Sequence, residues 1–591
     1  MSKRTTRILS FLLTATIALS MTACGSATNE NPASASASDA SAATSASTAA
    51  TPEATPTPEA SKEPVTLTIF GGETEKTFPV GIQNDPVALE IQKKLGITLD
   101  VVDQSTTPEK AKILVASGDL PDLMELNRVS LETLITNQQI IEMDSLLQTN
   151  GPDIMKNAPL AVAYSRKHLS MGNEKVFYIP GQVDPSGKII NLVAPYIRWD
   201  YYAELGYPPV KSYDDLLGVV DQMLKLHPTN EAGQKNFGFS MWFDWDTFAF
   251  GMLPGYQSGI QPMDPGLGYD QINKVMFDWV NDDSAFMWKG VHFWNKAYRM
   301  GLLDLDALTQ KYDQAIQKGG QNRILCMITQ WQQGNTNNDL EKAGFPGRGI
   351  EPLPPFEGTD GYIGGWKNMI GNPDRAWAIS ANCKTPDRAM DLINYMFSVE
   401  GCLTMYNGVK DDSWKDENGT YALTDKFLDL RKNDTNFVLT TGARKYNTWP
   451  GLNSTFQLPN GQTIELLQDK AIEVSAYTKV DKDYCAYYGV DTKSEVVTKF
   501  AKRPFVDEYI SKFTTATPPD DINTAKEKLR AHIIKELPKM VLAKTDEELS
   551  AMIASFREEL KAMDLEKTQQ WYLDDFNKAA ATEKEFLDSI K

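Results

Sequence analysis

At 591 residues the chain has room for more than one domain-sized lobe, and a composition 41% hydrophobic and 23% charged is that of a folded globular protein. A net charge of −19 excludes the basic surface that nucleic-acid phosphates require and is read as serving solubility. Five cysteines (Cys24, Cys326, Cys383, Cys402 and Cys485) do not make a disulfide framework. With no CxxC and four scattered histidines, nothing points to zinc.

The chain opens with Lys3, Arg4 and Arg7, then an apolar run from Ile8 to Leu19 that is shorter than the ~20 residues of a spanning helix. This reads as a secretory signal over 1–23. Leu19-Ser20-Met21-Thr22-Ala23-Cys24 resembles the lipobox of bacterial lipoproteins. That resemblance implies diacylglycerol on Cys24, whereas an ordinary signal with a chance cysteine is the alternative. Residues 24–63 are Ser, Ala, Thr, Pro and Glu with no aromatic or large aliphatic residue, so they cannot offset the entropy of folding. They read as a disordered tether with a flexible span of about 35 Å.

From Pro64 the pattern alternates. Val65–Phe70 predicts a strand, Asp85–Leu95 a helix, Ile97–Val102 a strand, Pro108–Ala116 a helix and Leu123–Leu126 a strand. That succession predicts a parallel sheet with flanking helices. Ligands of such sheets sit beyond the carboxyl ends of the strands, which places Gly71, Gly72, Glu73, Glu125, Asn127 and Arg128 on the rim. Later, Ser212 with Asp215 predicts a capped helix bearing Leu216, Leu217, Val220, Met223 and Leu224 on one face. Thr385-Pro386 opens another helix. Asn191–Tyr196 and Arg323–Thr329 predict strands of a second lobe. Asn368–Ser380 would return the chain to the first, and Gly401 onward would leave it again. Cys383 and Cys402 flank a predicted helix, which would hold their Cα atoms ~20 Å apart, so buried free thiols are expected. Glu417-Asn418-Gly419-Thr420 and Pro459-Asn460-Gly461-Gln462 read as hairpin turns, the first not as a calcium loop because Trp414 stands at the first ligand position. The chain should be helical from Asp521, with Thr545 and Glu548 as a capping box and Trp571, Tyr572 and Phe576 docking the last helix.

The succession of strand–Gly-Gly-Glu, Ala116–Asp122, Lys175–Pro180, Arg198–Gly206, Ser212–Leu216 and Thr385–Ala389 resembles the extracellular solute-binding proteins of carbohydrate ABC importers, family 1-like. The resemblance covers Pro64 to the C-terminus. It implies a two-lobe periplasmic-binding-protein-like α/β fold of type II, larger subclass, with a hinge between lobes. Lobe 1 would be 64–190 and 368–400, lobe 2 would be 191–367 and 401–591. It further implies a monomer held by its lipid on the extracellular face of the membrane of a Gram-positive bacterium, capturing an oligosaccharide and delivering it to permease subunits.

No catalytic motif is present: no G-x-S-x-G, H-E-x-x-H, P-loop or G-x-G-x-x-G after a strand. No metal ligands, catalytic residues or cofactor are assigned. Sugars stack their C–H faces on aromatic rings while carboxylates and amides take the hydroxyls. Phe239–Phe250 (FSMWFDWDTFAF) supplies such a surface, with Trp242, Trp245 and Asp246 the ligand-binding candidates. In the resembled family an aromatic at the end of a buried strand stacks on ligand, which points to Trp331 after RILCMIT. Trp366 and Asn368, at the return to the first lobe, are further candidates. Glu73, Glu125 and Asn127 would supply acceptors from the first lobe. Arg128 and Arg375 would suit a ligand carboxylate, or surface ion pairs. Trp279, Trp288, Trp294 and Trp377 read as core. The alternatives are a receptor for a peptide or other polar solute, a sensor module, and a surface-anchored glycan-active enzyme.

Overall fold

The computed structural model describes residues 63–71, 80–103, 108–189, 193–242, 245, 247–256, 258–356, 362–500, 503–507 and 516–590. The signal segment, Cys24 and the tether to residue 62 lie outside them, as do Glu73 and Asp246.

Strands β1 (Val65–Phe70), β2 (Gly81–Ile82), β3 (Ile97–Asp103), β4 (Leu123–Leu126) and β5 (Ile179–Gly181) begin the first sheet. β1 runs parallel to both β3 and β4, as strand–helix–strand spacing demands. The intervening helix Pro86–Leu95 starts where Asp85 accepts a hydrogen bond from the Ala88 N–H at 3.1 Å and stops at Gly96, whose φ of 67° a side chain would disfavour.

β6 (Asp184–Ile189) carries the chain to β7 (Val193–Arg198), the buried centre of a second group of elements. There β8 (Ile260–Met263), β9 (Leu267–Asp270) and β10 (Val275–Asp278) form an antiparallel meander, and β11 (Cys326–Thr329) and β12 (Ile350–Pro352) flank β7 antiparallel. β13 (Tyr362–Asn368) leads back to β14 (Asn372–Ile379), which pairs antiparallel with β4 and β5 and completes the order β2-β3-β1-β4-β14-β5. β15 (Trp414–Glu417) and β16 (Thr420–Leu423) form the hairpin expected at Asn418-Gly419. β17 (Arg503–Asp507) pairs with β13, so the connecting strands make a small sheet of their own, β17-β13-β6.

Two large cores result. One unites Leu67, Ile69, Leu99 and Val101 of the first sheet with Trp377, Met390 and Phe397. The other gathers Ile197, Leu216, Val220, Met223, Trp279, Trp288, Trp294 and Phe556. Helix Tyr213–Leu226 is capped as expected, Ser212 Oγ accepting from Asp215 N at 3.1 Å. Thr385 stands at the cap of helix Pro386–Phe397 without a side-chain cap bond.

The sequence reading sends the chain to the second lobe from 401. In the structure Cys402, Tyr406, Trp414, Tyr446, Trp449, Leu452 and Leu466 belong to the core of the first sheet. The cause is helix Val399–Asn407, whose residues from Gly401 to Asn407 are all buried, so it continues the packing begun by Pro386–Phe397. Tyr477, Val480 and Tyr484 join the other core. The changeover therefore falls between 466 and 477.

The C-terminal part is helical, over Asp520–Val541, Asp546–Lys561 and Leu565–Ser589. Phe576 docks the last helix against Tyr269, while Trp571 and Tyr572 are only half-buried. All four described cysteines are free thiols, with Cys326, Cys402 and Cys485 buried and Cys383 partly so.

Candidate functional site

Two walls of buried contacts hold most of the sequence-predicted residues. On the first, Asp85 ties the segment around Tyr446 to the sheet rim, accepting from Lys445 Nζ and from the Tyr446 hydroxyl, each at 2.6 Å. Lys445 also donates to Gln83 Oε1 at 2.7 Å. This anchors Thr448, whose hydroxyl donates to Glu125 at 3.1 Å, and Trp449, whose indole packs edge-on to Trp377. A Cβ on Gly71 would stand 3.2 Å from Trp449 Nε1, so the strand end lies directly against that ring. Trp449 Nε1 is buried without a hydrogen-bond partner among the described residues.

The second wall is set by a buried polar network. Gln332 Oε1 accepts from Ile328 N at 2.9 Å and its Nε2 donates to Ser240 O at 2.9 Å. Ser240 Oγ donates to Asp304 at 2.8 Å and accepts from Gln310 at 2.7 Å. Lys318 closes the charge on Asp304 at 2.5 Å. Such a fully buried amide makes a rigid bridge. Gln332 thereby locks the short helix Gln330–Gln333, which carries Trp331, to the strand end that leads into Trp242.

The sequence-predicted residues divide accordingly. Trp242 is completely buried, in contact with Trp245, Phe248 and Tyr312. Trp245 is 40% exposed. Trp331 and Trp366 are described through their backbones, on helix Gln330–Gln333 and on β13 opposite Lys188. Glu125 is buried at the rim. Asn127 caps helix Arg128–Thr136, its Oδ1 accepting from Ser130 N at 3.0 Å, so that oxygen serves the backbone. Arg128 is buried beside Glu132 at 2.9 Å. Asn368 pairs opposite Asp184 on the connecting strands. Trp279, Trp288, Trp294 and Trp377 are core, as expected.

A cavity of about 870 Å³ opens beside Lys445 of the first wall, and Glu125, Asn127, Trp242, Trp245 and Asn368 are not among its lining residues. One side is made by Leu428, Arg431, Phe437, Arg444, Lys445 and Asn447, the other by Asn335, Asn338 and Glu341 of helix Thr336–Lys342 together with Tyr477, Thr478 and Lys482. Sequence reasoning missed the whole 428–447 wall. No local motif marks it, because its residues come from the end of helix Asp425–Asn433, the short helix Phe437–Thr441 and the loop after it. Among the described residues no group of His, Cys, Asp and Glu is arranged to hold a metal ion.

No family model and no curated sequence matches the chain. Solved structures do. An alginate-binding protein, AlgQ2, in its calcium-free form superposes with a TM-score of 0.58 at 17% identity, over 87% of this chain and 98% of that one. The Streptococcus pneumoniae ABC-transporter substrate-binding protein FusA, in complex with kestose, gives 0.58 at 15% identity over 88% and 100%. A solute-binding protein from Bifidobacterium longum infantis, described as HMO binding and ABC-transporter associated, gives 0.57 at 14% identity over 87% and 99%. The chain has the two-lobe α/β fold of the ABC-transporter solute-binding proteins.

Proposed function

We propose that this protein is the substrate-binding component of a carbohydrate ABC importer, taking an oligosaccharide between its lobes and delivering it to the permease. The observation that carries this reading is the cavity of about 870 Å³ between the 428–447 segment and helix Thr336–Lys342, within the ~300–1,000 Å³ of ligand sites. Its lining of amides, charged groups and aromatic rings suits hydroxyl-rich ligands. The neighbours of the same fold are named for sugar ligands. On this reading the connecting strands β6 and β13 and the segment 466–477 are the hinge, and closure is the signal to the permease. The protein acts as a monomeric binder, not as an enzyme. Cys24 carries the lipid, and the tether to residue 63 keeps the receptor near its transporter at high effective concentration.

Thermal-shift and tryptophan-fluorescence titration against glycan and peptide panels tests the reading. Stabilisation by oligosaccharides with no response to peptides supports it. Turnover of those glycans that disappears with a single carboxylate substitution overturns it. Cys24→Ser in the full-length precursor should shift the protein from membranes to the medium, and a variant that stays on the membrane refutes the anchor.

A further inference from the structure

Resting on the oligosaccharide reading, we propose that the ligand is anionic: an acidic oligosaccharide whose carboxylate or sulfate groups meet Arg431, Lys432 and Lys482. Over the whole chain acids outnumber bases, 78 to 59. On the walls of the cavity the balance is reversed, with five cationic side chains against the carboxylates of Glu341 and Asp434.

Two of the cations are already used. Lys445 is paired with Asp85 behind the wall, and Arg444 with Glu465. Arg431, Lys432 and Lys482 form no ion pair among the described residues, although the Glu465 carboxylate paired with Arg444 also acts on Arg431. The two acids are occupied locally: Glu341 accepts the Lys479 N–H at 2.8 Å and Asp434 accepts the Asn436 N–H at 2.7 Å.

The arrangement also carries an internal repulsion. Arg431 opens on the cavity but is flanked by protein. Desolvation there, and then the charge of Arg444, hold its guanidinium below the ordinary value against the opposing pull of Glu465. Glu465 answers only part of this cost, and a ligand anion beside Arg431 would recover the rest, the same logic by which arginines select carboxylate and sulfate. Asn335, Asn338, Asn436 and Asn447 stand ready for neutral hydroxyls on the same walls. A charged group on a sugar backbone satisfies both sets.

Isothermal titration calorimetry on the mature protein decides. The probes are hexuronate tetrasaccharides, the same chains with carboxyls reduced to alcohols, and a sulfated neutral tetrasaccharide. The expected result is that one acidic probe binds at least about tenfold more tightly than its neutral counterpart, with affinity falling as salt rises. The carboxylate and sulfate arms identify which anion is taken. Arg431→Gln should weaken the acidic probe by about tenfold and leave neutral chains alone, and Arg431→Lys should restore part of the loss. Neutral tetrasaccharides binding as well as acidic ones, or Arg431→Gln without effect on an acidic probe, overturns the proposal while the oligosaccharide reading stands. Binding of peptides and of no glycan overturns both.

Discussion

Trp245 lies nearly parallel to Tyr312, with ring centroids 4.3 Å apart and planes 24° apart, and 40% of its surface is open to solvent. The ring is therefore held by Tyr312, Trp242 and Phe248 while part of it still reaches solvent. Its neighbour Trp242 has no exposed surface at all. These two tryptophans, three residues apart, should answer differently to the same change.

Trp245→Ala should weaken oligosaccharide binding by about 1 kcal/mol or more, as loss of an aromatic contact does, with little change in unfolding midpoint. Trp242→Ala should instead cost about 3–5 kcal/mol of stability, the figure for emptying a buried indole site. Calorimetric titration beside thermal unfolding separates the two. Unchanged affinity in Trp245→Ala would remove that ring from the binding surface.

A second expectation concerns a buried charge network. Glu351 on β12 accepts from Asn337 at 2.9 Å and lies 3.7 Å from Lys493, which pairs with Asp481 at 2.5 Å. Burial pushes the Glu351 carboxyl well up, and the neighbouring Asp481 adds to this, so it holds its proton to higher pH than a solvated carboxyl. Burial also works against ionised Asp481, but Lys493 and the hydrogen bonds from Glu351 and Thr478 outweigh it and hold that carboxyl low. The signs are opposite. Asp481 contributes stability that is lost only as pH falls toward its lowered pKa. Glu351 subtracts stability as pH rises above about 4.3, where the unfolded carboxyl ionises and the folded one does not. Glu351→Gln keeps the donor and removes the ionisation. It should match wild type near pH 4 and exceed it at pH 8, as denaturant unfolding at the two values will show. Lys493→Met strands the Asp481 charge and should cost about 3–5 kcal/mol. A Gln variant less stable at pH 8 than wild type contradicts this protonation.

Much of the fold was legible because its signals are local. Asp85, Ser212 and Gly96 mark helix ends by hydrogen bonding and φ alone, and the parallel pairing of β1 with β3 and β4 follows from strand–helix–strand spacing. What was not legible is which core a segment joins. The residues of helix Val399–Asn407 would be apolar enough for either lobe, and only contact with Phe397 and Trp449 decides. The site followed the same division. Trp242 stood out by composition and Trp331 through the family resemblance, but the link between them is Gln332, a residue with no pattern around it. The cationic wall at Arg431 and Arg444 is assembled from a helix end and a loop that sequence gives no reason to associate.

The free thiols give a third test. Burial pushes Cys402 and Cys485 up to about 12 and Cys383 up to about 11, and Cys326 higher still. Because the thiolate is the reacting species, none should modify a disulfide reagent at pH 8 in the folded protein. All four should react once denaturant is added. Fast labelling of the native form would show that one of these side chains opens to solvent.

Glycine supplies the last test, through two Gly→Ala changes of opposite sign. Gly218 sits inside helix Tyr213–Leu226 with open space where a Cβ would go. Alanine there relieves the backbone entropy of glycine and should add about 0.5–1 kcal/mol of stability. Gly290 sits inside helix Phe286–Arg299, and its Cβ would fall 1.9 Å from the carbonyl oxygen of Phe250. The two backbones touch there because Trp294 Nε1 also donates to Ala249 O at 3.1 Å, drawing the Phe248–Gly251 turn onto the helix. Gly290→Ala has no flexible side chain to displace, so it should cost about 3 kcal/mol. That turn also underlies Trp245, whose ring lies 5.7 Å from Phe248. The same substitution should therefore weaken oligosaccharide binding at temperatures where the variant is still folded. Thermal unfolding ranks the pair, and calorimetry on folded Gly290→Ala reads the second effect. A Gly290→Ala protein as stable as wild type would mean that the helix and the turn do not meet in this way.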